Sequence, residues 1–384
     1  MIVGNAISKT CFILLAAGAQ AYRFEKFDFI APDVEMDIEF PINEESARYL
    51  HENSRSISVV LYEDRCKQVD HVDMDRPLEV LKAKRLYPPT HPEQRDFWPE
   101  FHEVVVAQHY RKRAEENPCK RDPIAEVMPA MTQLWRGFGI LDVAEAVHDE
   151  FPGIYHNQMI ANWLAIPNYL QGSDVIPKTG MIDFLRGPVF LSDMVGYAIR
   201  AVGECNFTLK WKVGRARPEE VAFKAITEAY SNVPRETLKL LEEMRLRTAT
   251  EFTAYDEGSP THPSWPAMHS AASAGSYWLD ITMDLTEEQL CDARMLDYSV
   301  SYARTVAGVH YRTDNEAGLM VGQEILYQRL PTYLHDVYGA DMNEVKALAE
   351  KKKYDWTTFT QSRCYREERF KTVAPAIPEF CRSG

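Results

Sequence analysis

TEEQLCDARMLDYSVSYARTVAG, residues 286–308, carries its apolar residues at spacings of three and four, the repeat that lays one stripe along a helix. The same spacing recurs in residues 97–116, 123–138, 191–213, 234–255, 268–281 and 315–334, with Pro or Gly marking the turns between them. These seven or so segments predict a mainly α-helical domain over residues 97–384. Residues 1–96 are expected as an irregular N-terminal extension packed on it. Within that extension SISVVLYEDR (56–65) alternates as a strand does, and LYPPTHPEQRD (86–96) is a Pro-rich loop. No repeat of fixed period and no low-complexity linker divides the chain, so one structural unit is expected, with residues 355–384 as a tail over its surface.

The chain has 384 residues, enough to bury a large core. A net charge of -14 argues against nucleic acid as the main partner, because phosphate-backbone binding draws its affinity from many Lys and Arg. Any anion site must therefore be locally basic inside an acidic protein. Cys11, Cys66, Cys119, Cys205, Cys291, Cys364 and Cys381 show no metal-ligand spacing, and an odd count cannot pair completely within one chain. A reducing compartment is the expectation from them. KTCFILLAAGAQA (9–21) imitates a secretory signal but has a single Lys ahead of its apolar run, so it reads either as a signal or as a buried first helix. Because that segment is still present in the chain, a cytoplasmic location is favoured over a secreted one, and no stretch is apolar for long enough to predict a membrane span.

Three segments carry chemistry. LKWKVGRARPEE (209–220) holds Lys210 and Arg217; two helical turns would place both on one face, with Pro218 stopping the helix and Lys212 and Arg215 on other faces. HPSWPAMHSA (262–271) holds His262 and His269 around a pair of prolines. YARTVAGVHYRTD (302–314) supplies Arg304, Gly308, His310 and Asp314, the last two spaced i, i+4 so that a carboxylate could orient an imidazole. Taken singly, each has an ordinary explanation as a solvated face or a satisfied core histidine. Together they are the inventory for holding a tetrahedral oxyanion, since guanidinium forks match such oxygens in pairs and Lys adds a point charge. No carboxylate cluster suited to Mg²⁺, Ca²⁺ or Zn²⁺ accompanies them.

The order K-x6-R-P, P-x-x-H, R-x3-G-x-H-x3-D resembles the three-part signature shared by vanadium-dependent haloperoxidases and type 2 acid phosphatases, over roughly residues 190–325. The surroundings of these motifs, with AIPNYLQG (165–172), look most like the bromoperoxidases of algae and their cyanobacterial relatives. The resemblance implies a helix-bundle fold with the site in the core, vanadate as cofactor, and phosphate able to occupy the site as its analogue. It implies that His310 bonds the metal and that Lys210, Arg217 and Arg304 hold the vanadate oxygens. Gly308 and Asp314 belong to the same motif, Asp314 as support. His269 would be the acid–base histidine, and His262 a second active-site histidine. The activity implied is oxidation of bromide and/or iodide by hydrogen peroxide to hypohalous acid, which halogenates small organic nucleophiles. The relatives form homo-oligomers, and chloride oxidation is not expected.

One departure stands out. Where the family pattern is Pro-Ser-Gly-His, this chain reads Pro266-Ala267-Met268-His269. The missing hydroxyl would cost a charge-assisted hydrogen bond, about tenfold to a hundredfold in anion affinity. Met268 keeps a backbone N–H for the anion and adds an oxidisable thioether. The rival reading is an acid phosphatase in which His310 attacks phosphorus and His269 protonates the leaving group. A third is an inactive relative that binds anions or serves in assembly. His262, its HPSWP setting, and the K-W and R-P-E context favour the haloperoxidase.

Overall fold

In the computed structural model the described residues are 72–138 and 183–370, apart from 89–91, 93–96, 118, 120, 228–229, 256–257, 261 and 368–369. The signal-like segment, the strand expected over 56–65, AIPNYLQG and residues 371–384 lie outside them. The described chain is mainly α-helical: α1 (Asp75–Ala83), α2 (Phe97–Glu115), α3 (Pro123–Val127), α4 (Thr132–Gly137), α5 (Asp183–Val213), α6 (Pro218–Ile226), α7 (Arg235–Met244), α8 (Met268–Ala272), α9 (Gly275–Thr282), α10 (Glu287–Val306), α11 (Arg312–Tyr338), α12 (Met342–Lys351) and α13 (Arg363–Arg366).

The stretch at 286–308 folds as its pattern predicts, and its start is fixed by a capping box: Thr286 Oγ1 accepts from Gln289 N at 3.2 Å, and Gln289 Oε1 accepts from Thr286 N at 3.0 Å. Three expected helices are interrupted. Residues 123–138 split at Met128, just before Pro129. The helix expected over 234–255 ends at Met244, where Arg245 takes a left-handed conformation, and only a short 3-10 turn at Thr250–Phe252 follows. The run at 268–281 is two helices, broken at Ser273 and Ala274.

Helix α11 is the axis of the molecule, with α1, α5, α8, α10 and α12 packed around it. Every residue from Asp314 to Leu326 is buried, so this is a core helix rather than an amphipathic one. Leu319, Ile325, Leu326, Leu330 and Leu334 lie in the larger of two hydrophobic clusters, and burying each contributes roughly 1.5–3 kcal/mol before chain entropy is counted. Leu78, Leu81 and Leu86 join that cluster, so the described part of the N-terminal extension supplies a helix to the core. A second cluster gathers Phe97, Trp98 and Phe101 of α2, Val221 of α6, Leu241 of α7, Phe252 and Tyr311. Val309 belongs to the first cluster and Tyr311 to the second, which puts His310 on the seam between them.

Gly318 and Gly322 let α8 lie directly on α11. A Cβ on Gly318 would stand 2.5 Å from the Ala267 carbonyl oxygen, and one on Gly322 would collide with that of Ala271. Cys291 of α10 and Cys364 of α13 form a disulfide with a Cα separation of 5.0 Å. Sequence spacing gave no hint of it, and it weighs against the reducing compartment expected from the cysteine pattern.

Candidate oxyanion site

The site is assembled from three chain reversals. At the first, α5 ends at Val213, Gly214 turns at φ 68°, and Pro218 opens α6 with Arg217 as the residue before it. The expectation that Lys210 and Arg217 share one helix face is therefore wrong: proline here begins a helix instead of ending one, and glycine supplies the stop. The two cations meet across the turn, because both bind residues 262–264. Lys210 Nζ donates to the carbonyls of Pro263 (3.0 Å) and Ser264 (2.9 Å). Arg217 Nε donates to the His262 carbonyl at 3.0 Å and Nη2 to His262 Nδ1 at 3.1 Å.

The second reversal is the strap 262–267, which joins the helices around it. Ser264 N donates to the Arg215 carbonyl at 2.9 Å, Trp265 Nε1 to the Leu86 carbonyl at 3.0 Å, and Ala267 N to the Asp314 carbonyl at 2.9 Å. The Trp265–Pro266 peptide is cis. Met268 and His269 then open α8. Met268 has no positive φ, so the backbone freedom of glycine is not needed at this position, and its Cε lies over Gly203 of α5.

At the third, α10 ends and Gly308, at φ 81°, turns the chain so that Val309 N and His310 N both reach the Arg304 carbonyl (3.1 and 3.3 Å). Gln108 of α2 caps this end by donating to the carbonyls of Thr305 (3.1 Å) and Val306 (2.6 Å), and a Cβ on Gly308 would meet its side chain at 2.9 Å. Gly308 thus serves the turn that sets Arg304 against His310. His310 and Asp314 are paired as their spacing suggested, with one difference: His310 precedes α11, and Asp314 lies in the first turn, accepting from Tyr311 N at 3.1 Å.

The hydrogen bonds fix the tautomer of His310. Arg217 Nη1 approaches His310 Nε2 at 3.0 Å, and a guanidinium only donates, so Nε2 carries a lone pair. Nδ1 then holds the proton and donates to Asp314 Oδ2 at 3.1 Å. Ser264 Oγ, 3.3 Å from Nδ1, donates to the same carboxylate oxygen. His262 Nδ1 lies 3.1 Å from Arg217 Nη2, a donor, and 3.3 Å from the Pro263 carbonyl, an acceptor; Phe207 meets its ring edge to face at 4.8 Å.

Lys210, Arg217, Arg304 and His310 are almost fully buried, while His262, Met268 and His269 are partly exposed. Arg304 Nη1 donates to the Tyr255 hydroxyl at 2.5 Å, whereas its Nε and Nη2, like His269 Nε2, are buried without a partner among the described residues. Burial pushes Lys210 well below its ordinary pKa, and Arg217 adds to this, with Asp314 opposing. Burial likewise drives His262, His269 and His310 well below the usual histidine value, and the neighbouring basic groups push the same way; for His269 these are Arg304, the His310 imidazole, Lys210 and Arg217. The cluster therefore destabilises its own positive charge, and a multivalent anion is what would relieve it.

All three motifs converge here, with Arg304, His269, His310, Lys210 and Arg217 within electrostatic reach of one another. Arg215, set aside in the sequence, lies behind the site: its Nη1 donates to Asp314 Oδ1 at 2.6 Å. Glu100, Thr313, Ser264 and Tyr255 were also missed. Ser264 stood in plain view between the two histidines, but the partner of its hydroxyl depends on the fold. Ala267, the N-cap of α8, brings no side-chain donor, and no group of three His, Cys, Asp or Glu among the described residues could hold a metal ion. Among those residues no helix is long and apolar enough to cross a membrane. No family model matches the chain, and no curated protein matches it.

Proposed function

We propose that this chain binds vanadate among Lys210, Arg217, Arg304 and His310 and is a peroxidase of bromide and/or iodide. The observation that carries the reading is the lone pair on His310 Nε2, held toward buried cations by Arg217 on one side and Asp314 on the other. The donor set suits the group: one neutral imidazole bonds the metal, and an Arg304 fork with two unsatisfied N–H groups, Lys210 and Arg217 take its oxygens. The Met268 N–H stands where the family uses a glycine N–H. Bound vanadate supplies a Lewis acid that activates hydrogen peroxide toward halide without changing the oxidation state of the metal.

The protein's own part is charge balance and proton transfer. The net reaction, H₂O₂ + X⁻ + H⁺ → HOX + H₂O, consumes one proton. His269 Nε2, buried and without a partner among the described residues, is the group to receive the proton that peroxide gives up and to return it to the leaving oxygen. His269 is neutral at rest because burial and four neighbouring cationic or imidazole groups oppose its protonation. His262 lines the same cluster through Arg217, and small organic nucleophiles react with the hypohalous acid produced.

The same lone pair favours a second reading, phosphomonoester hydrolysis through a phosphohistidine at His310, with His269 as general acid. His262 and the motif context support the first. The deciding experiment measures bromide- and iodide-dependent halogenation with hydrogen peroxide, with and without orthovanadate, beside p-nitrophenyl phosphate hydrolysis. Halogenation that needs vanadate and is suppressed by excess phosphate establishes the peroxidase. Phosphatase turnover inhibited by vanadate, with no halogenation, establishes the rival.

A further inference from the structure

Behind His310 runs a buried chain of alternating charge that no part of the reading above uses. Asp314 Oδ1 accepts from Arg215 Nη1 at 2.6 Å, and Arg215 Nη2 donates to Glu100 Oε2 of α2 at 2.9 Å. Thr313 bridges the two: Arg215 Nη1 donates to its hydroxyl at 2.9 Å, and the hydroxyl donates to Glu100 Oε2 at 2.9 Å. Thr313 N donates to Glu100 Oε1 at 2.5 Å. The Arg215 guanidinium lies 3.7 Å from the centre of the Tyr311 ring, in cation–π contact, and its side chain is inaccessible to solvent.

We propose that Glu100 and Arg215 are positioning residues: through Asp314 they fix the orientation and tautomer of His310, so that the smaller hydrophobic cluster sets the aim of the anion site. Asp314 can rotate about its terminal bond; the Arg215 contact on Oδ1 opposes this, together with the Ser264 and Tyr311 N bonds to Oδ2, and so keeps Oδ2 facing the imidazole. Arg215 is in turn held in its plane by Glu100, Thr313 and the Tyr311 face. A buried ion pair serving stability alone would not need the Thr313 bridge from the guanidinium to Glu100. The inference rests on His310 being the anion-facing histidine of the reading above.

The test uses the full chain with ¹⁵N-labelled histidine and no vanadate, and reads the imidazole tautomer of His310 by long-range ¹H–¹⁵N correlation. The His310 signals are assigned by their loss in His310→Gln. In wild type the proton is expected on Nδ1. In Glu100→Gln, and more weakly in Thr313→Val, both tautomers should be populated, and affinity for orthovanadate and for inorganic phosphate should fall about tenfold to a hundredfold for the first variant. Thr313→Ser, which keeps the hydroxyl, should restore wild-type spectra and affinity. Should Glu100→Gln fail to fold, Thr313→Val decides, since it leaves every charge in place. Folded Glu100→Gln or Thr313→Val with an unchanged tautomer and unchanged anion affinity would overturn the proposal. A wild type with the expected tautomer but no vanadate affinity instead overturns the functional reading and leaves the positioning role supported.

Discussion

Arg217 donates to His310 Nε2 at 3.0 Å while Asp314 Oδ2 accepts from Nδ1 at 3.1 Å, so the lone pair of Nε2 faces the cations. The ring is presented as a base, and a guanidinium occupies the direction a metal or phosphorus atom would take. An arriving anion therefore exchanges this bond for its own bond to Nε2, and the freed guanidinium can turn to its oxygens. His310→Ala should lose orthovanadate retention, measured by metal analysis after desalting, and with it all turnover. His269→Ala should keep a substantial part of the vanadate and lose turnover if, as proposed, its imidazole moves protons and does not hold the metal. Equal retention in wild type and His310→Ala would refute the assignment.

The three motifs were legible as chemistry because each is local: Lys210 to Arg217, His262 to His269 and Arg304 to Asp314 span a few residues apiece. How they meet was not. Lys210 and Arg217 were expected to share a helix face, yet Gly214 and Pro218 put a turn between them, and a proline at 218 reads equally well as a stop or a start. Glu100 sits on a different helix and reaches the site through Arg215 and Thr313, so no spacing could reveal it. The helical class was legible from periodicity, except where a single backbone event broke a long pattern, as at Met128 and Arg245.

The site makes stability depend on pH. His262, His269 and His310 are held neutral in the folded protein by burial and then by neighbouring cations, whereas in the unfolded chain they bind protons near pH 6.5. Below that pH the unfolded state holds more protons, so the contribution of these histidines is full above about pH 6.5 and falls as pH drops through it, by up to about 1.4 kcal/mol per pH unit for each histidine. Thermal unfolding between pH 5 and 8 should show this slope. Phosphate, by countering the cations, should flatten it, and His269→Gln should remove about a third. A melting temperature level down to pH 5 without phosphate would contradict the buried neutral histidines.

Gly318 is where packing and chemistry touch. A methyl group there would press on the Ala267 carbonyl at 2.5 Å and on Ser270 Cβ at 2.6 Å, both in or beside the first turn of α8. Gly318→Ala should therefore lower stability by about 1–3 kcal/mol and push His269 out of line. Turnover should fall further than anion affinity does, since Lys210, Arg304 and His310 are carried by other elements. Calorimetry beside a phosphate titration separates the two effects; unchanged unfolding and kinetics would mean that α8 is not seated on Gly318.

The Cys291–Cys364 bond closes a loop of 73 residues and ties α13 to α10 on the side of α10 away from its site-bearing end. Chain entropy alone makes such a crosslink worth about 4 kcal/mol. Reduction, or Cys291→Ala, should lower the unfolding midpoint by that order while leaving phosphate affinity within about twofold, because Arg304 lies more than three turns along α10 from Cys291. A midpoint indifferent to dithiothreitol would show that the bond is not formed in solution.

Ala267 stands where the resembling family places a serine, and the structure says what a hydroxyl there would do. The residue is the N-cap of α8, fully buried, with φ -65° and ψ 125°, and no side chain caps the helix. Ala267→Ser would supply the missing cap, raising stability by about 0.5–2 kcal/mol in the absence of an anion. With vanadate bound, the hydroxyl proton would have a charged acceptor while its oxygen still accepts from the helix, and donating to the anion is worth about 1.5–3 kcal/mol. Orthovanadate affinity should rise by about tenfold to a hundredfold. Titration of the variant against wild type measures the difference, and thermal unfolding without anion measures the cap. A variant that gains the cap but no affinity would mean that the hydroxyl faces the helix and that the anion lies elsewhere than at the start of α8, which would also remove Met268 from the site.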